Sequence, residues 1–385
     1  MNINKLENNW LNQPSAQCLS KAFKNYGHQA LFVGGCVRNS ILKVPITDID
    51  MATDALPETI IRISKENNFK FIPTGLTHGT ITIIIDKIAY QITTFRSDIA
   101  NDGRHAKVEF TTSLLLDASR RDLTINALYC DSNGKIIDPL NVLKDLNNRI
   151  IKFIGDPNKR IAEDYLRILR FFRFQAIYGN ELLEINLPAL NACREHKSKL
   201  ATLSKERTTS ELRKLFSSNN PTRTIIKMID TGILNQLFES CSVNSFVSYI
   251  KAEKKYKIKI NWIGRLLSLQ GSNIEEVLTL TRRELKMIKY TKKAIKQNMP
   301  IFEFSYYNGM EYGIMYLLLQ HGMKKTILNE ISINKVSSIV TRKFPVTAKD
   351  LMPKLKGKKL GDELKKLESQ WIKSDFTLNK NQLLS

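Results

Sequence analysis

The chain has 385 residues, 42% of them hydrophobic and 25% charged, and a formal net charge of +22. That length exceeds a single core and suggests roughly two to four domains; no apolar run reaches the ~20 residues of a membrane helix, and residues 1–20 are too polar for a secretory signal. The positive balance points to a polyanionic partner, nucleic acid before a membrane surface, although Lys, Asn and Ile enrichment throughout the chain accounts for part of it.

Residues 1–28 read as a polar lead-in and one amphipathic helix over about 15–26. The apolar run Ala30-Leu31-Phe32-Val33 reads as a buried strand, followed by Gly34-Gly35 and a short helix over 36–42. A glycine pair before a helix lets backbone N–H groups approach an anion, and Arg38 would add a forked donor for phosphate. Within Thr47-Asp48-Ile49-Asp50-Met51 the period of two places Asp48 and Asp50 on one strand face. Two carboxylates that close repel unless a cation lies between them, and hard oxygen ligands suit magnesium. A tight turn and a solvated turn are the plain alternative. Pro57 opens a helix running to about Asn67, and strands follow over 70–72, 80–85 and 89–94, with Asp86-Lys87 as a hairpin turn. The polar stretch 97–107, with Asp102-Gly103-Arg104, reads as a loop that either closes over a nucleotide or is an ordinary hairpin excursion.

Over 118–130 the arginines Arg120 and Arg121 and the acid Asp122 adjoin an apolar segment read as helical. A near-buried Arg121 needs an anion, either Asp122 or a bound triphosphate, and Asn126 among apolar residues should have a fixed hydrogen-bonding role. A turn at Asn133-Gly134, a short strand and a helix opened by Asp138-Pro139 end the sheet domain. From 151 onward the pattern is helical. Asp156-Pro157 opens a long helix on which Asp164, Arg167, Arg170 and Arg173 recur every three residues as one stripe. Surface salt bridges such as Asp164–Arg167 would explain part of it; three arginines against one acid argue for a phosphate or a base edge. Ser204 is an N-cap for a helix over 203–215. The turn over 354–361 sets Lys356, Lys358 and Lys359 around Gly357 as a candidate phosphate-backbone contact. The cysteines Cys18, Cys36, Cys130, Cys193 and Cys241 are scattered and odd in number, which fits free thiols in a reducing, cytoplasmic setting with no disulfide partner and no zinc site.

Gly34-Gly35-Cys36-Val37-Arg38 with Asp48-Ile49-Asp50, then Arg120-Arg121-Asp122-Leu123-Thr124-Ile125-Asn126-Ala127, Glu163-Asp164-Tyr165-Leu166-Arg167-Ile168-Leu169-Arg170 and Ser204-Lys205-Glu206-Arg207 form an ordered set. In these motifs the chain resembles the bacterial and organellar tRNA nucleotidyltransferases that build the 3′-terminal CCA, with their poly(A) polymerase relatives. The resemblance covers most of residues 25–215. Two positions depart from it: Asn39 stands where the family usually has an acid, and Val142 where it usually has a glycine. The resemblance implies an α+β fold, with a polymerase-beta-like mixed-sheet head over 1–150, a helical neck over 151–215, a helical body over 216–300 and a tRNA-binding helical tail over 301–385. It implies that Asp48 and Asp50 are catalytic and hold magnesium. Gly35, Arg38 and Arg121 would hold the triphosphate of CTP or ATP, Asp164 and Arg167 would select the base, and Arg170 and Arg173 would complete the site. Asp102, Gly103 and Arg104 would belong to the loop associated with the switch from C to A, which favours complete CCA addition over addition of CC alone. A poly(A) polymerase is the runner-up. It is disfavoured because the strand and hairpin from Gly79-Thr80 lack that group's arginine-rich signature and no long basic C-terminal extension is present. A non-catalytic RNA-binding protein would retain such a scaffold without needing both aspartates.

Overall fold

The structure, a computed structural model, describes residues 5–100, 107–352 and 354–385. The chain divides into two compact units, Met1–Leu237 and Phe238–Ser385.

The first unit opens with α1 (Pro14–Asn25), β1 (Ala30–Val33), α2 (Gly35–Leu42), β2 (Ile49–Thr53) and α3 (Pro57–Glu66). Next come β3 (Lys70–Gly75), β4 (Thr80–Ile85), β5 (Ile88–Thr94), β6 (Arg96–Ala100) and β7 (Lys107–Phe110). α4 (Leu114–Ser119), β8 (Tyr129–Cys130), β9 (Ile136–Ile137) and α5 (Leu143–Asn147) complete the sheet region. Seven strands form one mixed sheet in the order β3-β4-β5-β2-β1-β8-β9, and β6 pairs with β7 as a separate ribbon. β2 lies at the centre, antiparallel to β1 and parallel to β5. All four residues of β1 are buried, as its unbroken apolar run requires. In β4 and β5 the alternation is explicit: Ile81, Ile83, Tyr90 and Ile92 are buried on one face. Their hairpin turns through Asp86 and Lys87 at φ 50° and 66°, the paired positive values of a type I′ turn. Asp102, Gly103 and Arg104 lie outside the described residues.

Helices follow: α6 (Pro157–Glu163), α7 (Leu166–Tyr178), α8 (Leu187–Glu195), α9 (Lys205–Phe216) and α10 (Thr222–Asp230). α7 packs against both α9 and α10, and Ile168, Leu169, Phe171 and Phe172 are buried along it, with Phe171 stacked on Phe153. Ser204 caps α9 as its sequence position requires, its hydroxyl accepting from the Arg207 backbone N–H.

The second unit is all helical. It comprises α11 (Val243–Lys255), α12 (Trp262–Ser268), α13 (Ile274–Val277), α14 (Arg282–Lys296) and α15 (Ile301–Asn308). α16 (Met310–Gly322), α17 (Glu330–Val340), α18 (Ala348–Leu351), α19 (Gly357–Lys373) and α20 (Lys380–Leu384) follow. Trp371 of α19 anchors one core, with Ile339, Leu367 and Phe376 around it. Phe304 and Tyr316 with Ala294 form another. A fully buried ion pair between Arg265 and Glu253 ties α12 to α11. Among the described residues no helix is long and apolar enough to cross a membrane, and all five cysteines are free thiols.

Four local expectations are corrected. Asp48 precedes the strand, because the ladder with β5 begins at Ile49 opposite Tyr90 and the preceding segment contains Pro45. The segment 118–130 is the end of α4, a 3₁₀ turn over Thr124–Asn126 and then β8, because Tyr129 and Cys130 pair with β1 and that long-range pairing overrides the apolar run. The expected long helix from Pro157 breaks at Asp164, whose φ of −159° and ψ of 106° are extended. The lysine-rich stretch around Gly357 is no turn: Lys356 is the N-cap of α19, and Lys358 and Lys359 sit exposed in its first turn. A smaller shift affects α5, which starts four residues after Pro139; the Asp138 carboxylate accepts from the Val142 and Leu143 N–H groups and caps it from outside.

Candidate active site

The turn after β1 sets the geometry. Gly34 ends the strand at φ 68° and ψ −112°, a region closed to residues with a side chain, and it is the N-cap of α2. A Cβ there would find ordinary contacts with Arg121 and the Asn126 carbonyl, both at 3.7 Å, so the requirement is conformational rather than steric. Replacing Gly34 by Ala is therefore expected to cost about 1–3 kcal/mol in urea unfolding; an unchanged midpoint would show the backbone to be unstrained.

Asp50 is half-buried on β2, and Asp48 is exposed, its carboxylate accepting from the Thr47 hydroxyl at 2.9 Å. Burial pushes the Asp50 carboxyl above its usual range; Arg121 pulls it down, and the negative charge of Asp48 adds to the push. A divalent cation would relieve both the burial cost and the repulsion, so the donor set fits a hard metal ion. Among the described residues no cluster of three or more His, Cys, Asp or Glu forms. Two protein carboxylates, with water and substrate phosphate supplying the rest, are the usual complement for magnesium.

Beside Asp50 lies a cleft of about 410 Å³. Arg38, Arg120, Arg121, Arg167 and Arg170 line it, against the acids Asp50, Asp122 and Asp164. Five guanidiniums facing three carboxylates leave the lining cationic, as an anionic ligand requires. Gly35 lines it as well. Of the residues expected at the site, Asp48 and Arg173 do not line the cleft. Arg173 turns to Glu211 at 2.5 Å and lies over the Phe174 ring at 4.3 Å.

Each arginine is held by a definite partner. Arg121 donates to Asp117 at 2.9 Å and to the Tyr129 hydroxyl at 3.0 Å, so its anion is Asp117 rather than the adjacent Asp122. Asp117 is fully buried and also accepts from Arg120 and Tyr129. Burial opposes its ionisation, but the guanidiniums of Arg121 and Arg120 overcome it and hold the carboxyl at about 2. Asp122 accepts from Arg170 at 2.6 Å and from Asn126 at 3.0 Å. Its carboxyl also lies well below the usual range: burial opposes this, and Arg170 dominates. Asn126 has the fixed role its surroundings demand, donating to Asp122 and accepting from Arg38.

Asp164 and Arg167 do not pair with each other. Asp164 accepts from the Leu166 N–H at 3.1 Å, starting α7, and from Arg207 at 2.6 Å. Arg167 donates through Nη1 to the Arg160 carbonyl at 2.9 Å and to Glu163. Its Nε and Nη2 hydrogens have no partner among the described residues. One carboxylate and one free guanidinium edge therefore stand together at the break between α6 and α7. Sequence reasoning missed Asp117, Glu163, Arg207 and Glu211 as the partners. Only Asp117 and Glu163 carry a local signal, lying three or four residues from the arginines they bind.

A central strand that carries an aspartate into an arginine-lined anion cleft, with a glycine-started helix at its edge, defines the head of a nucleotidyltransferase. The "Poly A polymerase head domain" family model matches residues 30–152, and the model for "Probable RNA and SrmB- binding site of polymerase A" matches 183–243. The CCA-adding enzyme of Staphylococcus epidermidis is 31% identical over 395 residues, covering 96% of each chain. That of Ligilactobacillus salivarius is 32% identical, covering 93% of this chain and 92% of its own. The mitochondrial CCA tRNA nucleotidyltransferase 1 of Danio rerio is 30% identical, covering 95% and 89%. Among solved structures, the Bacillus stearothermophilus CCA-adding enzyme in complex with CTP superposes with a TM-score of 0.67 at 23% identity over 94% of both chains. The Thermotoga maritima enzyme complexed with tRNA_CCA gives 0.70 at 18% identity over 96% of this chain and 94% of its own. These two establish the common fold. The chain belongs to the CCA-adding tRNA nucleotidyltransferases.

Proposed function

We propose that this CCA-adding enzyme, which extends tRNA 3′ ends from CTP and ATP, seats the incoming nucleotide in the arginine-lined cleft with its triphosphate toward Arg38 and Arg121. The observation that carries the reading is Arg38, buried at 6% exposure with no carboxylate ion-paired to it among the described residues. A buried cation without an anion is costly, and a phosphate supplies the missing charge. Burial lowers the Arg38 pKa, the direction expected of a guanidinium awaiting an anion. Gly35 at the start of α2 adds backbone N–H groups at the same place.

Asp48 and Asp50 would hold magnesium, which when bound activates the attacking 3′-hydroxyl and offsets charge on the phosphates. The base would meet Asp164 and the free edge of Arg167. Cytosine and adenine each present an amino donor beside a ring-nitrogen acceptor, so a carboxylate accepts from one and a guanidinium donates to the other. Uracil and guanine reverse that order and would leave buried groups unpaired, the costly kind of mismatch. Arg170 would complete the nucleotide site, and Arg173 would support it from behind through Glu211. In this reading residues 1–150 form the catalytic head, 151–215 the neck, 216–300 the body and 301–385 the tail. Lys356, Gly357, Lys358 and Lys359 at the start of α19 would touch the tRNA backbone. The setting is the cytoplasm, where free thiols persist.

The test uses tRNA transcripts ending before CCA, after C and after CC, with CTP or ATP alone and together, beside an oligo(A) primer. Addition should stop after C, C and A and leave oligo(A) unextended. Unlimited A addition to both RNAs would make the protein a poly(A) polymerase, and two Cs without A would make it a CC-adding enzyme.

A further inference from the structure

We propose that Tyr178 is a positioning residue for the nucleotide: together with Asn39 it aims the Arg38 guanidinium into the cleft while leaving its charge unneutralised. This rests on the reading that Arg38 receives the triphosphate. Tyr178 is the last residue of α7, 140 positions from Arg38. Its hydroxyl accepts from Arg38 Nη2 at 2.8 Å and donates to Asn39 Oδ1 at 3.2 Å. Its ring lies under the same guanidinium, 4.2 Å from Cζ to centroid. Asn39 Oδ1 accepts from Nε at 3.1 Å and Nη2 at 2.9 Å, and its amide donates to the Pro45 carbonyl at 2.7 Å. That last bond decides which way the amide points, because only the NH₂ end can satisfy a carbonyl. Asn126 takes one Nη1 hydrogen.

Every group holding Arg38 is therefore neutral. Oxygen acceptors and an aromatic face fix a guanidinium in place as well as a carboxylate does, but they leave its full charge for a ligand. One Nη1 hydrogen remains without a partner among the described residues, on a residue that lines the cleft. The other guanidiniums of the cleft contrast with this: Arg120 and Arg121 share Asp117, Arg167 has Glu163 and Arg170 has Asp122. Tyr178 also gives α7 two functions. The helix carries Arg167 in its first turn and the Arg38 anchor in its last, so one rigid element sets the spacing between base and phosphate contacts.

The triphosphate is common to both substrates, so losing this alignment should weaken CTP and ATP equally and leave base choice untouched. Tyr178→Phe keeps the ring and deletes the hydroxyl. On the full chain it should weaken CTP and ATP binding about tenfold by equilibrium dialysis, with kcat within about twofold and the CTP/ATP ratio unchanged. In an Arg38→Ala background the same substitution should add nothing, since its only effect passes through Arg38. A Tyr178→Phe effect that persists without Arg38, or a wild-type affinity in Tyr178→Phe while Arg38→Ala weakens binding, would overturn the proposal alone. Unchanged nucleotide affinity in Arg38→Ala would overturn the reading of Arg38 on which it stands. Thermal unfolding of each variant identifies a merely structural loss, which would appear as a lowered Tm with kcat, tRNA and nucleotide affinities falling together and would also count against the proposal.

Discussion

Replacing Asp50 by Asn is expected to cut nucleotide incorporation by roughly 10³-fold or more while leaving tRNA affinity within about twofold. Asn preserves the volume and hydrogen-bonding shape of the side chain, so β2 and its pairing with β5 should survive. What disappears is the charge. In the proposed reading Asp50 and Asp48 are the carboxylates that would hold a metal, and the raised pKa of Asp50, from burial first and from Asp48 beside it, marks a charge held at a cost that a cation would relieve. Single-turnover incorporation with CTP measures the chemistry, and filter binding of the same tRNA measures the complex. Transfer near the wild-type rate would sink the assignment of this pair as the metal site. Weakened tRNA binding in step with transfer would instead mean that Asp50 supports the fold.

Asp117→Asn should destabilise the protein by about 3–5 kcal/mol, because it removes a fully buried acid that is ion-paired to two partly buried guanidiniums. Tyr129 loses a charged acceptor in the same change. Arg121 would then be free to turn from the cleft, so nucleotide affinity should fall as well. The pH dependence has a definite sign. The folded carboxyl sits at about 2, below its ordinary 3.8, so its stabilisation is fully present above that ordinary value and is lost as pH falls toward 2. Urea unfolding at about pH 5 and about pH 3 should therefore show the gap between wild type and Asp117→Asn narrowing in acid. A gap that does not change with pH would mean that packing, and not charge, accounts for the loss.

Several features could be read in advance because their physical causes are local. The four-residue apolar run of β1, the glycine pair ahead of α2, Pro57 at the start of α3 and the Ser204 cap each depend on residues within a few positions of one another. The alternation that puts Asp50 on a strand is of the same kind, whereas the central position of that strand is decided by its pairing with β1 and β5. Errors arose where periodicity was followed through a residue that the rest of the molecule holds otherwise. Asp164 fits a three-residue stripe in the sequence, yet its carboxylate bonds to the Leu166 N–H and Arg207, and its backbone is extended. The stretch after Arg121 is apolar enough for a helix, but Tyr129 and Cys130 complete the sheet.

The carboxylate pair, the glycine entrance to α2 and the arginine-rich motifs that mark a nucleotide-handling enzyme are properties of residue type and short spacing, and they are written in the chain. Which acid serves which arginine is not. Asp122 rather than Asp164 holds Arg170, Glu211 draws Arg173 out of the cleft, and Tyr178 reaches Arg38. The reason is the cost of burial: a guanidinium removed from water must find an anion or a full set of acceptors. In a folded chain these come from whichever element packs against it, however far away it lies in sequence.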